Sequence, residues 1–368
     1  MKTTRLKKQK KRLLATAVIG VLLLSSCTKE IPFKALPAAE KEDVVDANLI
    51  DTKADYLFST SMQNGSRSSS DALPFSTGDN KRVKLEMTED KLRIVEKERD
   101  TRFASNDTND KLLLEVPIEH VQFQCAKDKY GECTNSEEKA DDIHWSARNQ
   151  IKVKLADAKS AELDLLPILD SETFGDNCYE QVTARVKSYK IESDAINFQI
   201  ERTFKTRLEC LSGEATLSDA IVTAVYHYSL VKLDKVLSKD FKTISYPEGS
   251  ADENTFGFFS SQRKVLDVDN NDTQKSLLQV MNHWNPNRSV IDYYLSDEFA
   301  KPQNKMIKDL TYKTVDNLNK GLEISGVNFR INLKEPAGKI PGDIRNSMIV
   351  LVEDPVAASV IGYGPQTE

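Results

Sequence analysis

Histidine spacing excludes the commonest helical zinc site from this sequence. The four histidines are His120, His144, His227 and His283, and no His-Glu-x-x-His stretch occurs. A catalytic zinc site on a helix needs two imidazoles one turn apart with a glutamate between them as base. The sequence therefore predicts no catalytic residue, no metal ligand and no cofactor for this chain. His120 and His227 lie in strand-like patterns and are interpreted as structural or surface residues.

The acidic stretch Asp267-x-Asp269-x-Asn271 begins like a calcium-binding loop. Such a loop needs glycine at its sixth position and glutamate at its twelfth. Here those positions hold Asp272 and Leu278. We therefore interpret the stretch as an acidic turn.

The cysteines predict disulfides. Apart from Cys27, the chain has Cys125, Cys133, Cys178 and Cys210. An even number of cysteines in an exported protein is typical of disulfide pairing. We favour Cys125–Cys133 and Cys178–Cys210, since each pair flanks one local segment. The two other pairings stay open, as does zinc binding, although no C-x2-C spacing supports zinc.

The N-terminal segment has the features of an export signal. Met1–Arg12 carries seven Lys/Arg, and Leu13–Leu24 is an apolar run too short to span a bilayer. The following Ser25-Ser26-Cys27 completes a motif that resembles the lipobox of bacterial lipoproteins. The resemblance implies acylation of Cys27 and anchoring in a membrane by lipid. Thr28 in the next position favours the outer membrane. An ordinary cleaved signal is the alternative.

The charge of the remaining body disfavours nucleic acid as a partner. Without residues 1–26 the chain has 44 Lys/Arg against 57 Asp/Glu, a net charge of −13. Nucleic-acid binding is driven by clustered basic residues that release counterions. The expected partners are the membrane, through lipid on Cys27, and a protein or peptide that charge alone does not identify.

Period-two patterns dominate the middle of the chain. Residues 27–53 are polar and predict a tether, and residues 54–280 predict a β-rich domain. A hairpin is indicated where Val83, Leu85 and Met87 are followed by Leu92, Ile94 and Val95. The further strand candidates are Leu113–Gln124, Ile151–Leu155, Val182–Ile191, Ile196–Phe204 and Ile221–Leu233.

The pattern changes near residue 285. Arg288–Leu295 is strand-like, and Pro302 precedes apolar residues at helical spacing. We expect these to form one buried stripe, ending near Gly321; they are Ile307, Leu310, Thr314/Val315, Leu318 and Leu322. Residues 327–333 alternate as a strand does, and Met348–Val352 predicts a strand covered on both faces. The predicted fold class is a mostly antiparallel β N-terminal domain followed by an incomplete α/β sandwich at 285–368.

Several short motifs in this last part carry a family resemblance. His283-Trp284-Asn285, the stretch Ile291-Asp292-Tyr293-Tyr294-Leu295-Ser296 and the helix ending near Asn319-Lys320-Gly321 resemble the start of a catalytic domain. Asp343-Ile344-Arg345-Asn346 is similar to an Asp-x-Arg-Tyr-Asn strand, with the asparagine one place early and no tyrosine. Gly362-Tyr363-Gly364-Pro365-Gln366 is similar to a Gly-Pro-Ser turn. Together they resemble the N-terminal part of bacterial metzincin-type zinc-dependent metallopeptidases, which place a β-rich region before the protease.

The resemblance implies a scaffold without its catalytic machinery. The family's His-Glu-x-x-His helix and third zinc ligand have no counterpart here, so neither ligand nor base is carried over. We expect an outer-membrane lipoprotein that is a truncated product or one piece of a split gene and is inactive alone. Zinc is expected only if the missing segment is supplied. The alternative is a self-contained cell-envelope binding or structural lipoprotein.

Overall fold

The computed structural model describes residues 32–65, 77–78, 80–97, 111–160, 179–206, 221–247, 249–255, 260–264, 277–285 and 287–353. Cys27, Cys178 and Cys210 lie outside these ranges, as do the acidic turn at 267–272 and the motif at 362–366. The described part is mostly antiparallel β, as the sequence predicted. No helix within these ranges is both long and apolar enough to cross a membrane.

Within the described ranges the structure has eighteen strands and two α-helices. The strands are β1 (Val44–Asp46), β2 (Asp55–Gly65), β3 (Lys81–Met87), β4 (Lys91–Glu96), β5 (Leu112–Val121), β6 (Phe123–Lys127), β7 (Cys133–Lys139), β8 (Gln150–Val153), β9 (Lys159–Ser160), β10 (Tyr179–Ile191), β11 (Ala195–Thr206), β12 (Ile221–Lys232), β13 (Ser245–Pro247), β14 (Ser260–Lys264), β15 (Leu277–Met281), β16 (Val290–Leu295), β17 (Arg330–Lys334) and β18 (Ser347–Ile349). The helices are α1 (Leu233–Val236) and α2 (Lys305–Ile324).

Ten strands form one large sheet that holds the core. Its order is β1-β8-β5-β4-β3-β2-β12-β11-β10, with β9 paired to β5. Alternation places Tyr226, Tyr228 and Leu230 of β12 on the inner face, where each is at most 1% exposed. The predicted hairpin β3–β4 is present. The strand candidates Val182–Ile191 and Ile196–Phe204 lie in β10 and β11, which form a second hairpin with Glu192 N donating to Ala195 O (2.8 Å) at its tip.

The structure differs from the expected tether at its C-terminal end. Val44–Asp46 pairs antiparallel with β8, and Val153 N donates to Asp43 O (3.0 Å). Residues 43–46 are thus bound into the sheet. Grouping by contacts gives two compact units, one of residues up to 42 with 121–144 and one of 43–120 with 145 onward.

The smaller unit is built on the hairpin β6–β7. The disulfide Cys125–Cys133 closes this hairpin, with a Cα–Cα distance of 5.3 Å. At its tip the Asp128 carboxylate accepts from the backbone N–H of Tyr130 (2.8 Å) and of Glu132 (2.9 Å). The predicted pairing of these two cysteines is therefore present in the structure.

The last part of the chain is a small parallel β-α-β arrangement, which we call the parallel module (residues 288–353). Its strand order is β17-β16-β18, and α2 connects β16 to β17. Two smaller predictions are wrong here. Helix α2 runs past Gly321 to Ile324, and Gly326 follows at φ 72°. The final strand is only Ser347–Ile349 and is half-buried, because it lies at the sheet edge.

The predicted buried stripe on α2 is also wrong. No residue of α2 is buried, and Ile307, Leu310 and Leu318 are exposed. The helix is held to the sheet partly by polar bonds instead. Asn319 Nδ2 donates to Ile331 O (2.8 Å), and Ile331 N donates to Asn319 Oδ1 (2.9 Å).

Candidate functional site

The loop between β17 and β18 joins the parallel module to the large sheet; we call residues 340–346 the clamp loop. Gly342 lies at φ 91°, and a Cβ there would come within 2.1 Å of Ser61 Oγ on β2. Ile344 N donates to Ser229 Oγ on β12 (3.3 Å). Only glycine combines this backbone conformation with so close an approach. The clamp loop therefore lies directly on β2 and β12.

An ion-pair network secures the clamp loop. The Arg345 guanidinium donates to both oxygens of Asp343, with the shortest contact at 2.7 Å, and also to Glu192 Oε2 at 2.8 Å. Asp343 is largely buried, and its bonds raise the pKa of Arg345. Lys190 and then Arg345 lower the pKa of Glu192. Glu192 belongs to the β10–β11 turn, so the network ties three separate parts of the chain together.

A buried histidine lies beneath the clamp loop. His227 on β12 is 1% exposed, and its ring carbon would be 3.1 Å from a Cβ at position 342. Its Nε2 is 3.1 Å from Asn197 Oδ1, an oxygen that accepts a hydrogen bond from this nitrogen in the tautomer protonated at Nε2. Burial lowers the pKa of His227 to about 4, although the negative charge of Asp343 opposes the shift. The imidazole is therefore neutral at physiological pH.

The remaining histidines lie on separate elements. His120 Nε2 bonds Thr88 O (2.9 Å), and the ring lies 5.0 Å from Trp145. His283 Nδ1 bonds Trp284 O (2.9 Å), while His144 is exposed. Among the described residues no group of three His, Cys, Asp or Glu side chains could hold a metal ion. The described residues therefore present no ligand set for the zinc that the family resemblance implies.

Helix α2 presents apolar side chains to solvent. Met306, Ile307, Leu310 and Leu318 are between 40% and 70% exposed; we call them the α2 apolar face. Its N-terminal half borders a shallow groove lined by Pro302, Met306 and Leu310 together with charged residues of the same helix. A helix with such a pattern normally buries this face against another element.

No family model matches the sequence, and no curated protein or solved structure is significantly similar to it. The function must therefore be argued from the residues and their geometry.

The sequence analysis did not predict most of the residues that contact the clamp loop or stabilise its surroundings. Ser61, Glu192, Asn197 and Ser229 lie far apart in the chain, and their types are common at surfaces. The available signal was Pro341-Gly342, a dipeptide that marks a turn and ends the alternating strand pattern. It locates a turn but does not identify the strands that receive it.

Proposed function

We propose that this chain is an outer-membrane lipoprotein forming the non-catalytic N-terminal part of a metzincin-like zinc metallopeptidase. In this proposal the zinc ligands and the catalytic glutamate belong to other polypeptide, and the 368 residues alone cleave nothing. The supporting observation is the α2 apolar face, which lies on a parallel β-α-β arrangement and is exposed to solvent.

Two physical arguments connect that face to a scaffold role. Parallel sheets are normally covered on both faces, and here the strand residues of the parallel module are half-buried or exposed except for Leu295. Exposed large apolar side chains that form a patch also mark interaction sites. Further polypeptide packed on α2 and on the open face of this sheet would remove both departures.

The test begins with the gene downstream of the codon for Glu368. Where an in-frame or frameshifted continuation encodes His-Glu-x-x-His, that polypeptide is expressed together with this chain. We expect zinc-dependent, chelator-sensitive proteolysis from the pair and none from the 368-residue chain. Stoichiometric zinc with chelator-sensitive cleavage by this chain alone would refute the proposal.

A pair of variants on α2 sharpens this test. Met306→Glu with Leu310→Glu places charge on the α2 apolar face and should abolish association with the catalytic polypeptide. Lys305→Glu is the control on the same helix: it replaces an exposed ion pair with Asp309 by a like-charge contact and leaves the α2 apolar face unchanged. Equal loss of association in both variants would show that the face itself is not the contact.

The lipid anchor has its own test. Cys27→Ser should abolish incorporation of a labelled fatty acid and release the protein from the membrane fraction. Thr28→Asp should keep the acyl label and move the protein to the inner membrane, because aspartate at this position resembles the retention signal of bacterial lipoproteins. Unchanged labelling of Cys27→Ser would instead favour an ordinary cleaved signal.

The alternative function is a self-contained envelope lipoprotein that binds a protein or peptide. It is favoured by Tyr130, which is 77% exposed at the tip of the disulfide-closed hairpin. A clean stop after Glu368, with no downstream frame encoding zinc ligands, would support this alternative over the peptidase scaffold.

A further inference from the structure

Two large aromatic side chains of the smaller unit are exposed to solvent. Phe33 is 62% exposed just before the chain joins β7, and Tyr130 is 77% exposed at the tip of the hairpin β6–β7. Lys129 Nζ lies 4.8 Å from the centre of the Tyr130 ring. An exposed tyrosine beside a lysine suits an interface that is apolar on one side and hydrated on the other.

The hairpin tip holds Tyr130 in a fixed turn. The disulfide closes the two strands, and Asp128 N donates to Glu132 O (2.9 Å) between them. Gly131 N donates to Asp128 O (3.0 Å), with Gly131 at φ 83°. A side chain presented on such a turn loses little conformational freedom when it binds a surface.

The direction of the N-terminal chain relates this tip to the predicted lipid anchor. Lys34 bridges Ser136 of β7 in parallel, and Lys34 N donates to Asn135 O (2.7 Å). Strand β7 starts next to the tip and runs away from it. Because the bridge is parallel, Phe33 lies on the tip side of Lys34.

The chain between Cys27 and this end of the unit is short. Cys27 is six positions before Phe33, and six residues span at most about 20 Å. A lipid on Cys27 would therefore keep Phe33 within about 20 Å of the bilayer. The end of the unit that carries both exposed rings is thus the end from which the chain continues to the anchor.

The charges of the tip indicate which bilayer surface it fits. Lys127 and Lys129 are balanced by Asp128 and Glu132, so the tip has no net charge. Attraction to anionic headgroups needs an excess of basic residues. Tyrosine is enriched at membrane–water interfaces, where its ring lies at the level of the headgroups. The tip therefore fits a zwitterionic surface through its aromatic side chain.

We propose that Phe33 and Tyr130 form a membrane-contact surface at the tip end of the smaller unit. This surface inserts into the headgroup region of a zwitterionic bilayer, close to the lipid on Cys27. The contact orients the smaller unit on the membrane, which an acyl chain alone does not do. The inference rests on the lipid anchor of the proposed function and is independent of the peptidase scaffold.

Tryptophan reporters test the contact. Tyr130→Trp and Phe33→Trp are made in the full chain, purified with its acyl chains and reconstituted in phosphatidylcholine vesicles whose acyl chains carry bromine. Bromine quenches tryptophan that reaches the bilayer, so the fluorescence of both reporters should fall. High sodium chloride should leave the quenching unchanged, because the tip is uncharged overall. Quenching that disappears at high salt would contradict aromatic insertion.

Ala38→Trp is the matched control in the same unit. Ala38 is exposed, and the carboxylate of nearby Glu40 lies 3.9 Å from Lys139 Nζ, at the far end of β7. The length of β7 separates this site from the tip by about 20 Å. Wild-type protein gives the background signal of Trp145 and Trp284. Quenching at positions 33 and 130 should exceed that at 38 severalfold.

Failure of the contact and failure of the anchor give different results. If the chain carries a fatty-acid label and floats with the vesicles, but positions 33 and 130 are quenched no more than 38, the contact is overturned and the anchor stands. The tip would then be available to a protein or peptide partner. Absence of label on the wild-type chain would overturn the anchor and this contact together.

A charged variant tests whether the two rings act as one surface. Tyr130→Asp, introduced into the Phe33→Trp chain, should keep the acyl label and flotation, because Cys27 is unchanged. It should lower the quenching at position 33 severalfold, since a charged tip does not insert among the headgroups. Unchanged quenching would show that Tyr130 is not part of the contact.

Discussion

The large antiparallel sheet and the parallel module differ in how far they bury their apolar side chains. In the sheet, Phe58 and Leu114 are completely buried. In the module, Leu310 and Met306 of α2 are more than half exposed, although their helical spacing is that of a core-facing stripe. The sheet thus contains its own core, whereas the module leaves part of its apolar surface exposed on α2.

The interactions that stabilise the sheet also differ from those that attach the module to it. The sheet is held by apolar burial, which contributes about 1.5–3 kcal/mol for each large side chain. The module is fixed to it through the clamp loop, where Gly342, Asp343 and Arg345 make close or polar contacts. We therefore expect the module to loosen under conditions that leave the sheet intact.

The largest expected effect compares one substitution in the two regions. Leu114→Ala removes a fully buried side chain and should lower the free energy of unfolding by about 2–5 kcal/mol. Leu310→Ala, at a site that is 53% exposed, should change it by less than about 1 kcal/mol. Chemical denaturation measures both. A similar loss in the two variants would mean that α2 is covered in solution, for example by self-association, which sedimentation would detect.

The second prediction concerns pH and the interface beneath the clamp loop. The pKa of His227 is about 4 in the folded state against 6.5 for a free histidine. The unfolded chain therefore takes up a proton first as the pH falls, and the folded state loses stability between pH 6.5 and 4. The expected loss is on the order of 3 kcal/mol, complete below pH 4 and absent above pH 6.5.

His227→Gln is the control for this pH dependence. Glutamine cannot titrate and keeps an N–H that can reach Asn197, so the loss between pH 6.5 and 5 should disappear. Asp343, Arg345 and Glu192 are the charged groups that face this part of the sheet. The pKa of Glu192 is lowered by Lys190 and then by Arg345, and the pKa of Arg345 is raised by its bonds to Asp343. Hydrogen exchange at the Ile344 amide should show whether the clamp loop opens first.

The sequence predicts the sheet much better than it predicts the clamp. Alternation along β3, most of β4 and the second half of β11 reflects burial of one face, which leaves a local signal. The stripe on α2 has an equally clear local signal, yet it is exposed. Periodicity shows that a face is apolar and does not show what covers it. The clamp loop is held by pairs such as Arg345 and Glu192. These two residues are 153 positions apart, and no periodic pattern in the sequence connects them.

The third prediction is a matched pair of glycines. Gly342→Ala should destabilise the attachment of the module by about 2 kcal/mol or more, because the new Cβ meets Ser61 Oγ at 2.1 Å. Gly338→Ala should cost about 1 kcal/mol, from its φ of 62° alone, since nothing lies within 4 Å of its Cβ. Limited proteolysis within the module measures the difference. Equal cleavage rates in the two variants would show that the Ser61 contact does not secure the loop.

The smallest expected effect is an ion pair internal to the module. Glu335 accepts from Lys308 and from the Tyr312 hydroxyl (2.7 Å), but its side chain is 63% exposed. Surface ion pairs contribute about 0–1 kcal/mol, so Glu335→Gln should hardly change stability. Burial and then Glu335 raise the pKa of Tyr312 to about 12, and the variant should lower it toward 10.

Asp343→Asn, in the ion pair with Arg345, is the variant to compare with Glu335→Gln. The Asp343 side chain is only 11% exposed and bonds Arg345 through both oxygens, so its loss should lower the free energy of unfolding by about 1–3 kcal/mol. The two variants remove one charge each, from an exposed pair within the module and from a buried pair at its attachment. If Glu335→Gln proved the more damaging, the module would depend on its own surface contacts, and the clamp loop would not be its main attachment.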